Sequence, residues 1–447
     1  MTGLPRVAIG TIQPGYNAQP VVWALLEALR RNGIQVQSFL SRACFPDYDG
    51  AAAVTGLTPR HLDSWLMSPE MCSDAFRRGV EAADFAVVEG QFSPAVHCGI
   101  GGSLETLCHW LDLPRLAVID AAQLEPCRLP ARPDVDGLLL DGVSGDAHRA
   151  RLTTELESLW GIAVLGSLDR QPALRARLDS LPKGSRPPPD LCRRLGDDLL
   201  RHWRPIRLAE LACCRLPTSL SSKCHCRQPA RPLTIAVAYD EVFHYYFPDT
   251  LDSLEARGAS IVDFSPLRDE HLPPGADIVY FGCGHPELHA GALAENHCIK
   301  SAIRGHLRCG RRIYAEGGGL AYLCQELETP EGDQVRMVGL VPAKARLTAA
   351  PISPQPVEIT VAQSTWLGER GARLRGYHNS TWELEPHAPL VSLALEPEFR
   401  YDLVGSYQFV GSLFHFNFAA QPEFLERFFS PYRPLLEAAK ASLPPGS

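Results

Sequence analysis

Residues 6–33 read RVAIGTIQPGYNAQPVVWALLEALRRNG, and this stretch decides the fold class. Val7, Ala8 and Ile9 make a short apolar strand. Val22, Leu25, Leu26 and Leu29 then recur at helical spacing, and Asn32-Gly33 supplies a stop signal. The same alternation continues outward. Strand-like runs fall at 36–40, 85–88, 116–119 and 138–140, with helical runs at 103–110 and 149–160. Such alternation predicts a largely parallel sheet covered by helices on both faces.

From about Gln171 the pattern weakens. The run Lys183-Gly184-Ser185-Arg186-Pro187-Pro188-Pro189 excludes helix and central strand, because proline lacks the amide donor and blocks the preceding turn. A helical piece at 191–211 follows, then a polar, cysteine-bearing stretch ending at Pro232. A second α/β unit opens at Leu233 with LTIAVAYD. Its strands are expected at 261–264, 278–281 and 312–315, with helices at 297–307 and from 319 to 327. Segments 357–361, 390–395 and 407–416 read as antiparallel additions. The expected division is a first domain over 1–170, a linker over 171–232 and a second domain over 233–440.

Composition narrows the function. A chain of 447 residues holds two or three cores, and 45% apolar with 21% charged residues is ordinary globular composition. The net charge of −8 is interspersed, which leaves no basic face for nucleic acid. No apolar run approaches a membrane span, and no leader pattern is visible, so a cytoplasmic address is expected. The cysteines are scattered and read as reduced thiols. One group stands apart: Cys213-Cys214 followed by Cys224-His225-Cys226. These side chains suit zinc, an iron–sulfur cluster or the metal of a macrocycle, yet their spacing matches no standard finger. Idle linker thiols are the plainer reading.

Several motifs then fall in a recognisable order. They are Pro46-Asp47-Tyr48, Leu62-Asp63-Ser64-Trp65-Leu66-Met67 and Val87-Val88-Glu89-Gly90 in the first part. In the second part Ala238-Tyr239-Asp240, Phe243-His244-Tyr245-Tyr246-Phe247-Pro248-Asp249, Gly284-His285-Pro286-Glu287-Leu288-His289 and Tyr314-Ala315-Glu316 before Gly318-Gly319-Leu320 follow. Together they resemble the cobyrinate a,c-diamide synthase family over nearly the whole chain outside the linker. The resemblance implies an N-terminal sheet like that of phosphate-loop NTPases and a C-terminal domain like the class-I glutamine amidotransferases. It also implies a two-part chemistry. A cysteine and a histidine release ammonia from glutamine; an ATP- and magnesium-dependent half then activates acetate side chains of a corrin or a related tetrapyrrole, including sirohaem-type rings.

The residues depart from that pattern at both centres. The family's nucleophile position, between Ala-Glu and Gly-Gly, is Gly317, which has no side chain to attack with. The histidine counterpart is His415, and Cys283 in Gly282-Cys283-Gly284 is the thiol nearest in motif space that could substitute. The phosphate loop keeps Gly10, Thr11 and Gly15, but Asn17 and Ala18 replace its lysine and hydroxyl, Tyr16 replaces a glycine, and Pro14 removes a donor. The resemblance implies an asparagine where Asp141 stands, and its charge would repel phosphate if it faced the site. Glu89 remains as either a magnesium remnant or a strand-end carboxylate. Asp47, Tyr48, Asp63, Ser64 and Trp65 are the residues the resemblance puts near the macrocycle; for the last three a capping and core role is the alternative. The expected function is a non-amidating member that binds a tetrapyrrole or a partner, either an intact paralogous synthase or a second copy of itself. The alternative is ATP-dependent amidation with free ammonia or a partner's glutaminase.

Overall fold

The computed structural model describes residues 4–13, 15–46, 48–92, 101–124, 131–213, 233–348, 354–378 and 381–430. The chain divides into two units, Met1–Cys224 and His225–Ser447.

In the first unit the strands are β1 (Arg6–Thr11), β2 (Val36–Leu40), β3 (Arg60–His61), β4 (Phe85–Gln91), β5 (Arg115–Asp120), β6 (Gly137–Val143) and β7 (Val164–Asp169). They lie in the order β3-β2-β4-β1-β5-β6-β7, and every neighbouring pair is parallel. The helices between them are α1 (Gln19–Arg31), α2 (Gly50–Thr55), α3 (Pro69–Gly79), α4 (Leu104–Leu111) and α5 (Asp146–Trp160). Strand periodicity sends alternate residues to opposite faces. Leu116 and Val118 of β5 join Val22, Leu25 and Leu26 of α1 in one core; Ala117 and Ile119 join Leu152 and Leu156 of α5 in the other. Helices therefore cover both faces, as the alternation predicts. The chain crosses from one side of β1 to the other between β4 and β5, so a crevice opens at the carboxyl ends of these strands.

The stretch expected to be linker is helical over much of its described part. It forms α6 (Pro172–Asp179), α7 (Pro189–Arg201) and α8 (Pro205–Cys213). Of the prolines that read as breakers, Pro187 and Pro188 do precede the helix and Pro189 is the first residue of α7, where the missing amide has no partner to lose. Leu174, Leu178, Leu191, Leu195, Leu199 and Leu208 are buried in the same core as α1. Asp198 of α7, fully buried, accepts from the Asp169 amide at 2.7 Å and from Gln171 Nε2 at 2.6 Å, which ties α7 to the end of β7. These helices belong to the first unit. Cys214, Cys224 and Cys226 lie outside the described residues, and Cys213 closes α8.

The second unit opens with β8 (Leu233–Ala238), β9 (Phe243–Tyr245), α9 (Pro248–Ala256), β10 (Ala259–Phe264), β11 (Ile278–Phe281) and β12 (Cys283–Gly284). Next come α10 (Ala290–Glu295), α11 (His297–Arg308), β13 (Arg312–Glu316), α12 (Gly318–Leu323), β14 (Cys324–Glu328), β15 (Gln334–Arg336) and β16 (Val341–Leu347). The unit ends with β17 (Gln355–Thr360), β18 (Arg373–His378), β19 (Trp382–Pro386), β20 (Leu403–Gly405), β21 (Phe409–Ser412), β22 (Phe414–His415) and α13 (Pro422–Arg427). Its main sheet has the order β10-β8-β11-β13-β21-β20, parallel except for the β20 edge. Leu233, Ile235 and Val237 face one core, Ala236 and Ala238 the other.

Two expectations change here. The 407–416 run is not one antiparallel strand: β21 pairs in parallel with β13, and only β22 joins β18 antiparallel. The Ser412 hydroxyl accepts the Phe414 amide at 2.9 Å, and this local turn breaks the run. The helix after Gly319 stops at Leu323, because Cys324 is already extended and begins β14. Among the described residues no helix is long and apolar enough to cross a membrane.

Candidate functional site

The loop from β1 to α1 lies at the carboxyl end of the first sheet, where phosphate would be bound in a nucleotide-binding fold. Gly10 packs so closely on β4 that an added Cβ would lie 2.6 Å from the Gly90 carbonyl oxygen. Thr11 Oγ1 accepts the Gln13 amide at 3.0 Å, and Gly15 turns with φ +72°. The Gln13 side chain clips this loop to β5, accepting the Asp120 amide at 2.6 Å. Pro14 lies outside the described residues.

The start of α1 is where a phosphate would seek amide hydrogens. The Gln19 amide donates to Asn17 Oδ1 at 3.0 Å, Pro20 has no amide hydrogen, and Val21 and Val22 both donate to the Ala18 carbonyl. Each of these four positions is thus internally engaged or lacks a donor. The Tyr16 hydroxyl donates to Asp141 Oδ2, and Arg175 Nη2 closes the other side of the same carboxylate. Burial, then the Asp141 charge, pushes the Tyr16 hydroxyl's pKa far up, so it remains a donor. Asp141 therefore faces this crevice, with its charge balanced by Arg175. A cavity of about 380 Å³ opens there, lined among others by Tyr16, Trp23, Tyr48, Arg170 and Arg175.

Glu89 sits near the end of β4. Among the described residues it belongs to no cluster of three ligand-type side chains. Burial pushes its carboxyl from an ordinary 4.5 up to about 7. Between those values the unfolded chain ionises while the folded one stays protonated, so stability falls as pH rises through that window. Glu89→Gln is expected to flatten the decline, worth at most about 3 kcal/mol, in urea unfolding compared at about pH 5 and about pH 8.

The residues put near the macrocycle do not form one set. Tyr48 lines the cavity, its ring edge-on to Trp23 at 6.3 Å and its hydroxyl 3.4 Å from the Leu181 carbonyl. Asp63 is fully buried, and its carboxylate accepts three backbone amides: Ala43 at 2.9 Å, Trp65 at 2.9 Å and Leu66 at 3.2 Å. That geometry gives Asp63 the alternative, capping role: it holds two turns together. Ser64 Oγ accepts the Ser103 amide at 2.9 Å and so fixes the start of α4. Trp65 is partly buried beside it, and Asp47 lies outside the described residues.

The second unit brings three sequence-distant groups together. β13 ends in Glu316, Gly317 turns with φ +52°, and α12 begins at Gly318: a sharp strand-to-helix elbow. Beside it Cys283 Sγ lies 3.0 Å from His415 Nδ1 and 3.7 Å from Glu316 Oε1, and that carboxylate oxygen is 2.9 Å from the same Nδ1. All three are buried, Cys283 at 7%, Glu316 at 1% and His415 at 4% exposure. The Tyr314 hydroxyl donates to the other carboxylate oxygen, Glu316 Oε2, at 3.0 Å. A Cβ built on Gly317 would sit 2.9 Å from Cys283 Sγ and 3.6 Å from His415 Cε1. The Cys283 thiol therefore occupies the space beside the elbow that a side chain at 317 would need.

The arrangement differs from a nucleophilic relay. A relay puts nucleophile and carboxylate on opposite ring nitrogens, whereas here both address Nδ1. Burial, then the Glu316 charge, pushes the Cys283 thiol well above its usual range, away from the reactive thiolate. Glu316 was absent from the sequence-derived candidates, although it belongs to the Tyr314-Ala315-Glu316 motif; its contact with His415 joins positions 99 residues apart.

A family model described as a CobB/CobQ-like glutamine amidotransferase domain matches residues 234–423. Proteins named cobyrinate a,c-diamide synthase are similar over most of the chain. The one from Syntrophotalea carbinolica is 29% identical over 442 residues, covering 94% of this chain and 96% of that protein. The one from Streptococcus sanguinis is 30% identical over 405 residues, covering 86% and 88%. The one from Salmonella typhimurium is 26% identical over 450 residues, covering 94% and 97%.

Proposed function

The chain belongs to the cobyrinate a,c-diamide synthase family, with that family's place in corrinoid biosynthesis, and we propose that it acts there without catalysing ATP-driven amidation. It binds a carboxylate-bearing tetrapyrrole in its first unit, and an intact paralogous synthase supplies the amidation. One observation carries this reading: Tyr16 bonded to Asp141 above an α1 start whose amides are engaged. A triphosphate needs free amides and an uncommitted cation at that point, and it meets a tyrosine held on a carboxylate whose charge Arg175 already balances. These features argue against ATP in this loop.

The cavity suits a different ligand. Tyr16, Trp23 and Tyr48 offer aromatic surface, and Arg170 offers a cation for a peripheral carboxylate. Titrating the protein with acetate-bearing corrinoids and sirohydrochlorin while following their visible bands tests the binding. A saturable shift with a dissociation constant in the micromolar range is expected, and Arg170→Ala should weaken it about 10-fold. ATP with magnesium at millimolar concentration should leave the melting temperature unchanged. Unshifted macrocycle bands, or a magnesium-dependent ATP stabilisation, would contradict the proposal.

A further inference from the structure

We propose that Cys283, Glu316 and His415 form a binding site for a borderline-soft divalent cation, with zinc as the ion the donor set fits best. The site goes beyond the macrocycle reading and is independent of it. A thiolate, an imidazole and a carboxylate are the ligand types that zinc takes, and three protein ligands leave a fourth position for water or a small donor. The three donor atoms are mutually 3.0, 3.7 and 2.9 Å apart. Ligands at about 2.0–2.3 Å from zinc stand roughly 3.3–3.6 Å apart at tetrahedral angles, so small side-chain shifts close the set on one ion.

Three further features point to an ion rather than to a relay. Cys283 Sγ and Glu316 Oε1 both converge on Nδ1, which gives a common focus for an ion. Tyr314 holds Glu316 Oε2, so Oε1 is oriented toward that focus in the manner of an outer-shell partner. Gly317 places no side chain beside Sγ. Charge also balances: thiolate and carboxylate together neutralise a dication in a buried place where unpaired charge is disfavoured. Binding converts the Cys283 thiol into a metal thiolate and releases its proton to solvent.

The test uses the full chain, stripped with a chelator and titrated with Zn²⁺ and with Co²⁺. One ion per chain by elemental analysis is expected, together with a thiolate-to-cobalt charge-transfer band. Cys283→Ser should abolish the band, and Tyr314→Phe should weaken binding about 10-fold. Circular dichroism of each variant checks that it folds. A variant with Cys213, Cys214, Cys224 and Cys226 all changed to serine should keep the ion and the band. Absence of a bound ion in the wild type would overturn the site. So would a band that survives Cys283→Ser and disappears in the four-serine variant. Rapid covalent labelling of Cys283 by a glutamine analogue in the metal-free protein would also overturn it, because the thiol would then be a nucleophile.

Discussion

Asp63→Ala is expected to destabilise the first unit by about 4 kcal/mol, one of the two largest effects among single substitutions considered. The side chain is fully buried and accepts the amides of Ala43, Trp65 and Leu66. Hydrogen bonds to an ionised acceptor contribute about 1.5–3 kcal/mol each, and each buried donor left without a partner adds a penalty. Both turns held by the carboxylate lie at the carboxyl end of the sheet, near Ser41 and Gly102, so loop order there should fall too. Urea unfolding followed by far-ultraviolet circular dichroism measures the loss. Asp63→Asn keeps the shape with one acceptor oxygen and should recover about half of it. If Asp63→Ala left stability unchanged while weakening macrocycle binding, the residue would be a ligand contact after all.

Gly317→Cys, which puts a thiol at the elbow, is expected to cost about 3 kcal/mol in the second unit. Two sources add. A non-glycine residue at φ +52° stores about 1–3 kcal/mol of backbone strain, and the new Cβ meets Cys283 Sγ at 2.9 Å. Removing the second source with Cys283→Gly should recover about 1 kcal/mol, so the two changes are coupled in a double-mutant cycle. The cycle is read from denaturant midpoints under reducing conditions, since two thiols this close would otherwise join. Additive effects would mean that Cys283 does not share the space beside the elbow.

Much of the architecture was legible from local pattern. Strand and helix periods in residues 6–33 set the class, and alternate residues of β5 do face two cores. Pro189, the last residue of the run at 183–189, misled because its meaning depends on position: proline breaks a helix from inside and starts one from its first turn. The helical piece expected at 191–211 is α7 and α8, and the four-residue spacing of Leu174 and Leu178 could have shown α6 as well. The site was less legible for a different reason. Cys283 and Gly317 are neighbours because β11 and β13 pair with Phe281 beside Ala315, which puts 283 beside 317. That register is a tertiary fact, and no local signal carries it. Asp63 shows the reverse: an aspartate followed by two residues whose amides it accepts is a turn signature, and capping explains it without a ligand.

The loop chemistry at α1 carries the functional claim. The Asn17 side chain accepts the Gln19 amide, and Tyr16 and Arg175 meet on Asp141 in the crevice at the end of the sheet. The most direct test is mass-spectrometric detection of amide formation. The purified chain is incubated with acetate-bearing corrinoids and sirohydrochlorin, ATP and magnesium, with glutamine in one series and ammonium in the other. The prediction is unchanged macrocycle mass in both series, together with shifted visible bands. Mass changes corresponding to amidation with ammonium would show that the first unit still activates carboxylates, and the non-amidating reading would be wrong.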